Sequence, residues 1–302
     1  MIDLRQLEYF LKIAERRSFT AAAVELRITQ PSLTKSIRLL EQELGVQLFR
    51  RLPRGVELTP FGVSLARHAR SVRVQVKEAL SEIESLRQGV SGRITVGAGP
   101  SWLRRLLPRA VGQLIEERPL VRIQVVGGFD EALLRGLRLG EIDAAMVEIP
   151  TADECADLDV SPLASDALVV IAREGHPLAG AGSIAAADCL AFPWVLPPRA
   201  TRARRRLDAL FVSRELPPPD ATVETESGAF IVSMLAASDA LTYTTRRTVE
   251  QAEATGIVII DVPELAAERS AGFITRRGQA KSPTLAALFE SLSALAAADP
   301  RN

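Results

Sequence analysis

Cysteine and histidine are scarce in this chain of 302 residues, which contains two of each. Cys155 and Cys189 lie far apart, show no metal-ligand spacing and suit a reducing cytoplasm. His68 and His176 are too few and too distant for a zinc site or an obvious catalytic base. These scarcities argue against a metal site, a disulfide framework and most acid–base enzymes, and we expect no cofactor.

Long apolar runs are missing as well. No stretch of about 18 apolar residues occurs, so no membrane span is expected. The N-terminus lacks the basic start, apolar stretch and small-residue cleavage site of a secretion signal, which predicts a cytoplasmic protein. The length allows two or three domains at about 100–200 residues each, and 47% hydrophobic residues suffice for more than one core.

Net charge is zero over the whole chain but is unevenly distributed. Residues 1–92 hold 15 basic and 10 acidic residues, so this segment carries +5 and the remainder −5. A basic N-terminal segment is typical of a module that binds a polyanion, joined to a domain with another task.

The first 45 residues contain the signals of three short helices. Apolar residues recur at helical spacing from Leu4 to Ala14. Ser18 fits the N-cap of a second helix, where its hydroxyl accepts from an unpaired backbone N–H. Pro31 suits the first turn of a third helix, because its missing N–H costs nothing there. Gly45 is well placed as the C-cap of that helix.

Two β-prone stretches follow, Val46–Arg51 and Val56–Leu58, on either side of a turn at Pro53–Gly55. Together they predict a small hairpin, the wing. Thr59 and Pro60 then open another helix by the same capping logic.

A single long amphipathic helix is predicted over residues 60–88, since no proline or glycine occurs after Gly62. Its apolar residues recur at steps of three and four: Leu65, Ala69, Val72, Val76, Leu80, Ile83 and Leu86. This seam is typical of coiled-coil-like pairing between two chains. The alternative is that the helix packs on its own domain.

From residue 93 onward strands and helices alternate, which favours an α/β sheet with parallel neighbours. The predicted strands are Arg93–Gly97, Val121–Val126, Asp143–Val147, Ala167–Ala172, Thr222–Thr225, Ala240–Tyr243, Ile257–Ile260 and Ala271–Thr275. The predicted helices are Ser101–Glu117, Asp130–Leu139, Ala200–Ser213, Ser227–Ala236 and Pro283–Ala298.

An extended set of segments at fixed spacing resembles the LysR-type transcriptional regulator family. The segments are Leu4–Phe10, Ser18–Ala23, Thr29–Ile37, Leu39–Glu41, Leu44–Arg51 and Leu58–Gly62. The remainder is similar to that family by its order of strands and helices.

The resemblance implies an α+β protein with an N-terminal winged helix-turn-helix over residues 1–59 and a linker, or dimerisation, helix over 60–92. An effector-binding domain over 93–302 would follow, with an α/β fold like that of type II periplasmic binding proteins. Its subdomain I would comprise residues 93–162 and 268–302, and its subdomain II residues 163–267. The chain would cross between them near Ser161–Leu163 and Glu264–Ser270.

The same resemblance implies a DNA-binding transcription regulator whose DNA binding or bending is modulated by a small-molecule effector. The expected partners are double-stranded promoter or operator DNA, the effector and, as a further contact, RNA polymerase. The family's assembly implies a homodimer through the linker helix and a homotetramer through the sensor domains, with no membrane.

Polar residues on the third helix and the wing are the candidates for DNA contact. Gln can pair with adenine and Lys can donate to guanine in the major groove, and arginines beside a turn suit phosphate or the minor groove. The candidates are Ser18, Thr20, Gln30, Pro31, Ser32, Thr34, Lys35, Arg38, Arg50, Arg51 and Arg54. The alternatives are a solvated helix face and, for Ser18 and Thr20, capping alone.

Loops at the carboxyl ends of parallel strands are where ligands bind in such sheets. The candidates for the effector site are Ser101, Trp102, Gly128, Phe129, Pro198, Arg199, Thr201, Arg202, Glu226 and Ser227. Five arginines lie between Arg199 and Arg206. If they face the cleft, the effector is an organic anion such as a carboxylate or sulfonate; otherwise they form a solvated face or a subunit contact.

Three other classes of protein fit less well. Gly97 and Gly99 follow a strand, but no third glycine stands at the spacing of a nucleotide loop, so an enzyme is disfavoured. A solute receptor would need a signal peptide and would have no winged N-terminus. An architectural DNA-binding protein without an effector would have a collapsed cleft.

Overall fold

The computed structural model describes residues 2–53, 55–88, 92–251, 256–279 and 282–298. The chain forms two compact units, Met1–Glu84 and Ser85–Asn302. Among the described helices, none combines the length and the apolar character that crossing a membrane requires.

The first unit contains helices, a two-stranded hairpin and most of a long helix. Its elements are α1 Leu4–Arg16, α2 Phe19–Leu26, α3 Gln30–Leu44, β1 Phe49–Leu52, β2 Gly55–Leu58 and α4 Pro60–Gln88, which continues into the second unit. The predicted caps are confirmed. The Ser18 hydroxyl accepts from the Ala21 N–H at 3.2 Å, and Gly45 ends α3 with φ +71°.

The core of this unit joins the hairpin to the helices. Phe10 on α1 and Phe49 on β1 are both buried, with ring centroids 5.2 Å apart. The backbone of α4 comes so close to the chain before β1 that a Cβ at Gly62 would lie 2.2 Å from the Leu48 carbonyl oxygen. Only glycine allows this approach, which fixes where α4 starts.

Along α4, three apolar side chains at the predicted spacing remain exposed. Val76, Leu80 and Ile83 are 37%, 62% and 61% exposed. Ala69, nearer the start of the helix, is buried in the core of the first unit. The side chain of Leu86 lies outside the described residues.

The second unit is a mixed sheet with helices around it. Its helices are α5 Pro100–Arg104, α6 Leu106–Glu117, α7 Asp130–Leu139, α8 Arg202–Val212, α9 Gly228–Ala236, α10 Arg246–Gln251 and α11 Pro283–Ala297. Its strands are β3 Arg93–Ala98, β4 Arg122–Gly127, β5 Ala144–Glu148, β6 Leu158–Arg173, β7 Trp194–Leu196, β8 Ala221–Glu224, β9 Thr242–Thr245, β10 Ile257–Ile260 and β11 Ala267–Arg276.

The strands pair in the order β10-β6-β11-β5-β3-β4, with β9 also on β6, and β7 pairs separately with β8. The expected parallel pairing holds for β3 with β4 and β5. β8 is parallel to β7, a strand that was not predicted. The expected parallel pairing is wrong for β6 and β11, whose pairings are all antiparallel. Alternation of strands and helices along the sequence does not show whether two strands pair in the parallel or the antiparallel direction when a long segment separates them.

Four apolar cores include residues of the long antiparallel pair β6–β11, and we number the two largest of them. Phe273 of β11 belongs to the first core, with Trp102 and Leu288. Leu168 of β6 belongs to the second core, with Trp194. A β-bulge interrupts the pairing between Ala271 and Gly272, opposite Leu163.

Two further predictions need correction. The helix expected over Ser101–Glu117 is broken at Arg105, which has φ −132° and ψ −74°. Pro108 explains the break, because it has no N–H to donate to the Arg104 carbonyl and its ring crowds that oxygen. The strand expected over Ala167–Ala172 begins at Leu158 instead.

Candidate DNA-binding surface and ligand cleft

The first turns of α3 present a polar, exposed face. Thr29 caps the helix by accepting from the Ser32 N–H, and the Gln30 amide donates to the Thr34 hydroxyl at 2.9 Å. The exposed candidates on this helix are Gln30, Pro31, Ser32, Lys35 and Arg38, and Thr34 is half-buried. In a helix-turn-helix this part of the second helix meets the base edges.

The wing and the start of α2 hold the remaining candidates for DNA contact. Arg50 and Arg51 are exposed on β1, and the Arg50 guanidinium pairs with Glu57 on β2. Thr20 is exposed, whereas Ser18 is half-buried and its hydroxyl is used in capping. The predicted contact at Arg54 lies outside the described residues.

A cavity of about 90 Å³ is lined by residues of all four apolar cores of the second unit, and we call it the ligand cleft. Since one water needs about 10–15 Å³ on the same measure, the ligand cleft has room for a small organic molecule. Its walls include Gly99–Trp102, Phe129–Glu131, Val147–Glu148, Thr201–Ala203, Ile231–Val232, Thr242–Thr245 and Arg269.

Half of the predicted effector residues lie in this wall and half do not. Ser101, Trp102, Phe129, Thr201 and Arg202 line the ligand cleft. Gly128, Pro198, Glu226 and Ser227 each lie within two residues of a lining residue but are not part of the wall. Ser227 instead caps α9, accepting from the Phe230 N–H at 3.2 Å.

Arg199 lies away from the ligand cleft. Its side chain is 63% exposed and forms ion pairs of 3.8 Å with Asp208 and 3.6 Å with Asp220. Arg204 is buried and donates to Asp208 and to the Pro219 carbonyl. Arg199 and Arg204 therefore stabilise the contacts between α8 and the segment that precedes β8.

The other three arginines of the run lie on α8 and pair with carboxylates from the part of the chain before β6. Two of these carboxylates, Glu131 and Glu148, line the ligand cleft, and we call these contacts the cross-cleft ion pairs. They are Arg202 with Glu154 at 2.7 Å, Arg205 with Glu131 at 2.8 Å, and Arg206 with Glu148. Of the five arginines of the run, Arg202 is the one that lines the ligand cleft. Arg205 and Arg206 are linked to the cleft through their pairs with the lining residues Glu131 and Glu148.

Arg269 of β11 lines the ligand cleft beside Ser101 and Glu148. Its guanidinium donates to the Ser101 hydroxyl at 3.4 Å and lies 4.0 Å from the Glu148 carboxylate. Both Arg269 and Glu148 have side chains that are about nine-tenths buried. A hydroxyl, an arginine and a carboxylate are therefore held together beside the cavity.

Comparison with known proteins decides the family. The family model for the LysR substrate binding domain matches residues 87–297. The model for the bacterial regulatory helix-turn-helix protein of the lysR family matches residues 4–63. The chain belongs to the LysR family.

Curated relatives and a solved structure agree with this family. The chain is 31% identical over 256 residues to the HTH-type transcriptional regulator GbpR of Azospirillum brasilense, covering 84% of this chain and 75% of the relative. It is 31% identical over 293 residues to the SDS degradation transcriptional activation protein of a Pseudomonas species, covering 95% and 94%. A full-length OxyR variant from Pseudomonas aeruginosa shares the fold, with a TM-score of 0.59, 24% identity and coverage of 97% and 95%.

This LysR-family chain is therefore a DNA-binding transcription regulator with an effector-binding domain, as the resemblance in its first 62 residues predicted. The predicted fold class, a winged helix-turn-helix followed by an α/β sensor, is confirmed as well.

Several wall residues of this regulator were missed from the sequence. Glu148 stands at the carboxyl end of the predicted strand ending at Val147, a position that the strand-end rule would have flagged. Tyr243 ends a predicted strand in the same way. Arg269 lies in the segment Glu264–Ser270, which the sequence indicated only as a crossing between the subdomains. No local pattern there indicates a ligand-binding residue.

Asp130, at the start of α7, is half-buried in the wall of the cleft. Burial raises the pKa of its carboxyl to about 6, opposed by the nearby Arg269 and reinforced by Glu148 and Glu131. An unfolded carboxyl titrates near pH 4, so the folded state binds more protons between about pH 4 and pH 6. Stability therefore declines as the pH rises through this window, and the cost of the Asp130 charge is complete above it.

Asp130→Asn is expected to stabilise the protein at pH 7.5 by on the order of 1–3 kcal/mol, because it removes that charge while keeping a side-chain acceptor for the Glu148 N–H. The gain should shrink at pH 4.5. Urea unfolding at both pH values checks this, with Asp153→Asn, at an exposed position, as the control. A gain no larger at pH 7.5 than at pH 4.5 would contradict the assignment.

Proposed function

We propose that this regulator reads promoter or operator DNA with the exposed face of α3 and with the wing. The contacts would come from Gln30, Pro31, Ser32, Thr34, Lys35 and Arg38 on α3, from Arg50, Arg51 and Arg54 on the wing, and from Ser18 and Thr20 at the start of α2. The exposure of the α3 residues supports the proposal. Arg50 already pairs with Glu57, so a phosphate would compete with that carboxylate.

The effector is proposed to be a small organic anion held in the ligand cleft. The observation that carries this is the convergence of Ser101, Arg104 and Arg269 on one wall of the cavity. Arg104 is exposed, and it has neither an ion pair nor a hydrogen bond with another described residue. The carboxylates of the wall, by contrast, already face arginines. An incoming carboxylate or sulfonate would therefore find donors.

The remaining predicted residues, Gly128, Pro198, Arg199, Glu226 and Ser227, would act at most by shaping the adjoining loops. Their positions next to the wall support this limited role for all except Arg199. Arg199 pairs with Asp208 and Asp220. It would contact the effector only if the cleft adopted a different arrangement.

The proposed domain bounds follow the resemblance: residues 1–59 bind DNA, 60–92 link and dimerise, and 93–302 sense the effector. Subdomain I would be 93–162 with 268–302, and subdomain II 163–267. The bulge opposite Leu163 supports the first crossing point. The exposed seam of Val76, Leu80 and Ile83 supports a homodimer through α4.

Two such dimers would form the homotetramer and bend the duplex, at a cost that the added contacts offset. Effector binding would then shift the relative placement of the subunits, within the free energy given by its differential affinity for the two arrangements. Changed bending would alter the access of RNA polymerase. In this scheme the protein acts by binding, without a reaction of its own and without a cofactor.

A thermal-shift screen of the full chain against carboxylates, sulfonates, sugars and aromatic acids tests the effector. A ligand at 100 times its Kd stabilises the folded state by about 2.7 kcal/mol, which raises the melting temperature by roughly 5–10 °C. The shift should disappear in Ser101→Ala and persist in Ser213→Ala, which alters an exposed serine of the same unit. A shift produced by sugars alone would contradict the anion.

A further inference from the structure

Four buried polar atoms around the ligand cleft have no hydrogen-bond partner among the described residues. They are Oε2 of Glu131, Nε of Arg202, Nε of Arg269 and the hydroxyl of Tyr243. All four residues line the cavity. Since buried polar groups in folded proteins are almost always hydrogen-bonded, these atoms have unmet hydrogen-bonding capacity beside the cavity.

Tyr243 is the most deeply buried of the four, with 3% of its surface exposed. It lies on β9, and its ring is part of the second apolar core. Burial raises the pKa of its hydroxyl well above the ordinary range. The group therefore stays neutral at any physiological pH, and it can both donate and accept one hydrogen bond.

A ligand whose only polar group is a carboxylate cannot satisfy all four atoms. A carboxylate only accepts, so it can receive the N–H groups of Arg202 and Arg269 and the O–H of Tyr243. It cannot satisfy Glu131, whose Oε1 accepts from Arg205 at 2.8 Å while Oε2 has no donor. The ligand must therefore bring a donor of its own.

A neutral hydroxyl fits this donor better than an ammonium group. Arg205 pairs with Glu131, and Arg202 lies 3.9 Å from the same carboxylate. A third cation at this point would be repelled by both guanidinium groups, whereas a hydroxyl would not.

The rest of the wall indicates an apolar frame for the ligand. It includes Trp102, Phe129, Leu168, Ile231 and Val232. Apolar walls with a few placed polar groups are the usual construction of small-molecule sites.

We propose that the effector is a hydroxylated organic acid, whose hydroxyl groups pair with Glu131 and Tyr243 and whose carboxylate lies toward Ser101 and Arg269. Glu131 is the group that requires a donor from the ligand, and Tyr243 is the second partner that adds to the preference for a hydroxyl. The inference rests on the proposed organic-anion effector and adds the second functional group that the cleft requires.

Calorimetric titration of the full chain with matched acids tests this. The pairs are 3- and 4-hydroxybenzoate against benzoate, malate against succinate, and lactate against propionate. In at least one pair we expect the hydroxy acid to bind about tenfold tighter or more, the scale of one good hydrogen bond. Tyr243→Phe should reduce that preference to less than about threefold and leave the affinity of the other acid unchanged.

The second tyrosine of the chain, Tyr9 on α1, provides the matched control, since Tyr9→Phe should alter neither affinity. Without ligand, Tyr243→Phe should melt at or above the wild-type temperature, because the lost hydroxyl has no protein partner among the described residues. A lower melting temperature would show a structural role for the hydroxyl and overturn its assignment as a selecting group.

The titrations distinguish a wrong hydroxyl requirement from a wrong organic-anion effector. Equal binding of both members in every pair that binds overturns the hydroxyl requirement and leaves the organic anion intact. Binding of no acid in the panel, by protein that still binds its own upstream DNA, contradicts the organic anion and the hydroxyl requirement together.

Discussion

Replacing Lys35 by alanine is expected to weaken binding to the operator about 10- to 100-fold. The side chain is exposed on α3, one turn beyond the capped start of the helix, where a helix-turn-helix meets the base edges. An ammonium group there can donate to guanine acceptors, and one base contact of this kind contributes about 1–3 kcal/mol. Gel-shift or fluorescence-anisotropy titration of the full chain on its own upstream DNA measures the effect.

The control is Gln42→Ala, an exposed polar residue near the other end of the same helix, which should leave the affinity unchanged. The salt dependence distinguishes the two kinds of contact. If Lys35 meets a base, its loss relaxes specificity at one position; if it meets a phosphate, all sequences weaken alike and the salt slope falls by about one. Unchanged operator affinity for Lys35→Ala would show that α3 is not the reading helix.

Short-range signals explain why the first unit was predictable from its sequence. Ser18, Pro31 and Gly45 act within one turn of their own positions, through the backbone groups that a helix leaves unpaired at its ends. Their chemistry is therefore visible in the local sequence. The same holds for the wing, where β1 and β2 are joined by a turn of a few residues.

The ligand cleft depends on pairings that no local pattern specifies. Its wall brings together Glu148, Tyr243 and Arg269, which come from three strands, and the antiparallel return of β6 and β11 places them. The sequence predicted strands at or next to these residues but neither their direction nor their neighbours. Arg269 precedes the predicted strand Ala271–Thr275, and for that reason it was not among the predicted residues.

The arginine run shows the same limit at the level of one helix. Spacing alone puts Arg199, Arg202 and Arg206 on one face. The helix begins only at Arg202, so Arg199 precedes it and its side chain lies elsewhere. Arg199 also precedes the predicted helix start at Ala200, so a helical spacing could not be extended to it.

Glu148→Ala is expected to lower the free energy of unfolding of the effector-binding domain by about 3 kcal/mol. Glu148 is 6% exposed, and its two carboxylate oxygens both accept from Arg206, with Arg269 at 4.0 Å. Removing the carboxylate leaves Arg206 without this partner and Arg269 facing no opposite charge from Glu148. Breaking a buried pair in this way costs about 3–5 kcal/mol, and the 30% exposure of Arg206 places the effect at the lower end.

Asp157→Ala is the matched control, because it removes an ion pair with Arg138 at an exposed site of the same unit. The side chains of Arg138 and Asp157 are 36% and 48% exposed, and exposed pairs contribute about 0–1 kcal/mol. Urea unfolding at pH 7 should therefore separate the two variants by about 2 kcal/mol. Equal losses would show that the burial of Glu148 does not govern the strength of its pair.

A double-mutant cycle of Glu148→Ala with Arg206→Ala then isolates the contact itself. If the loss in Glu148→Ala arises from a stranded guanidinium, removing Arg206 as well should recover part of it, with a coupling energy of about 1 kcal/mol or more. Additive losses would assign the effect of Glu148 to Arg269 and the buried wall instead. Because these contacts join the two walls of the cleft, their strength also sets how much binding energy an effector must supply to move one wall against the other.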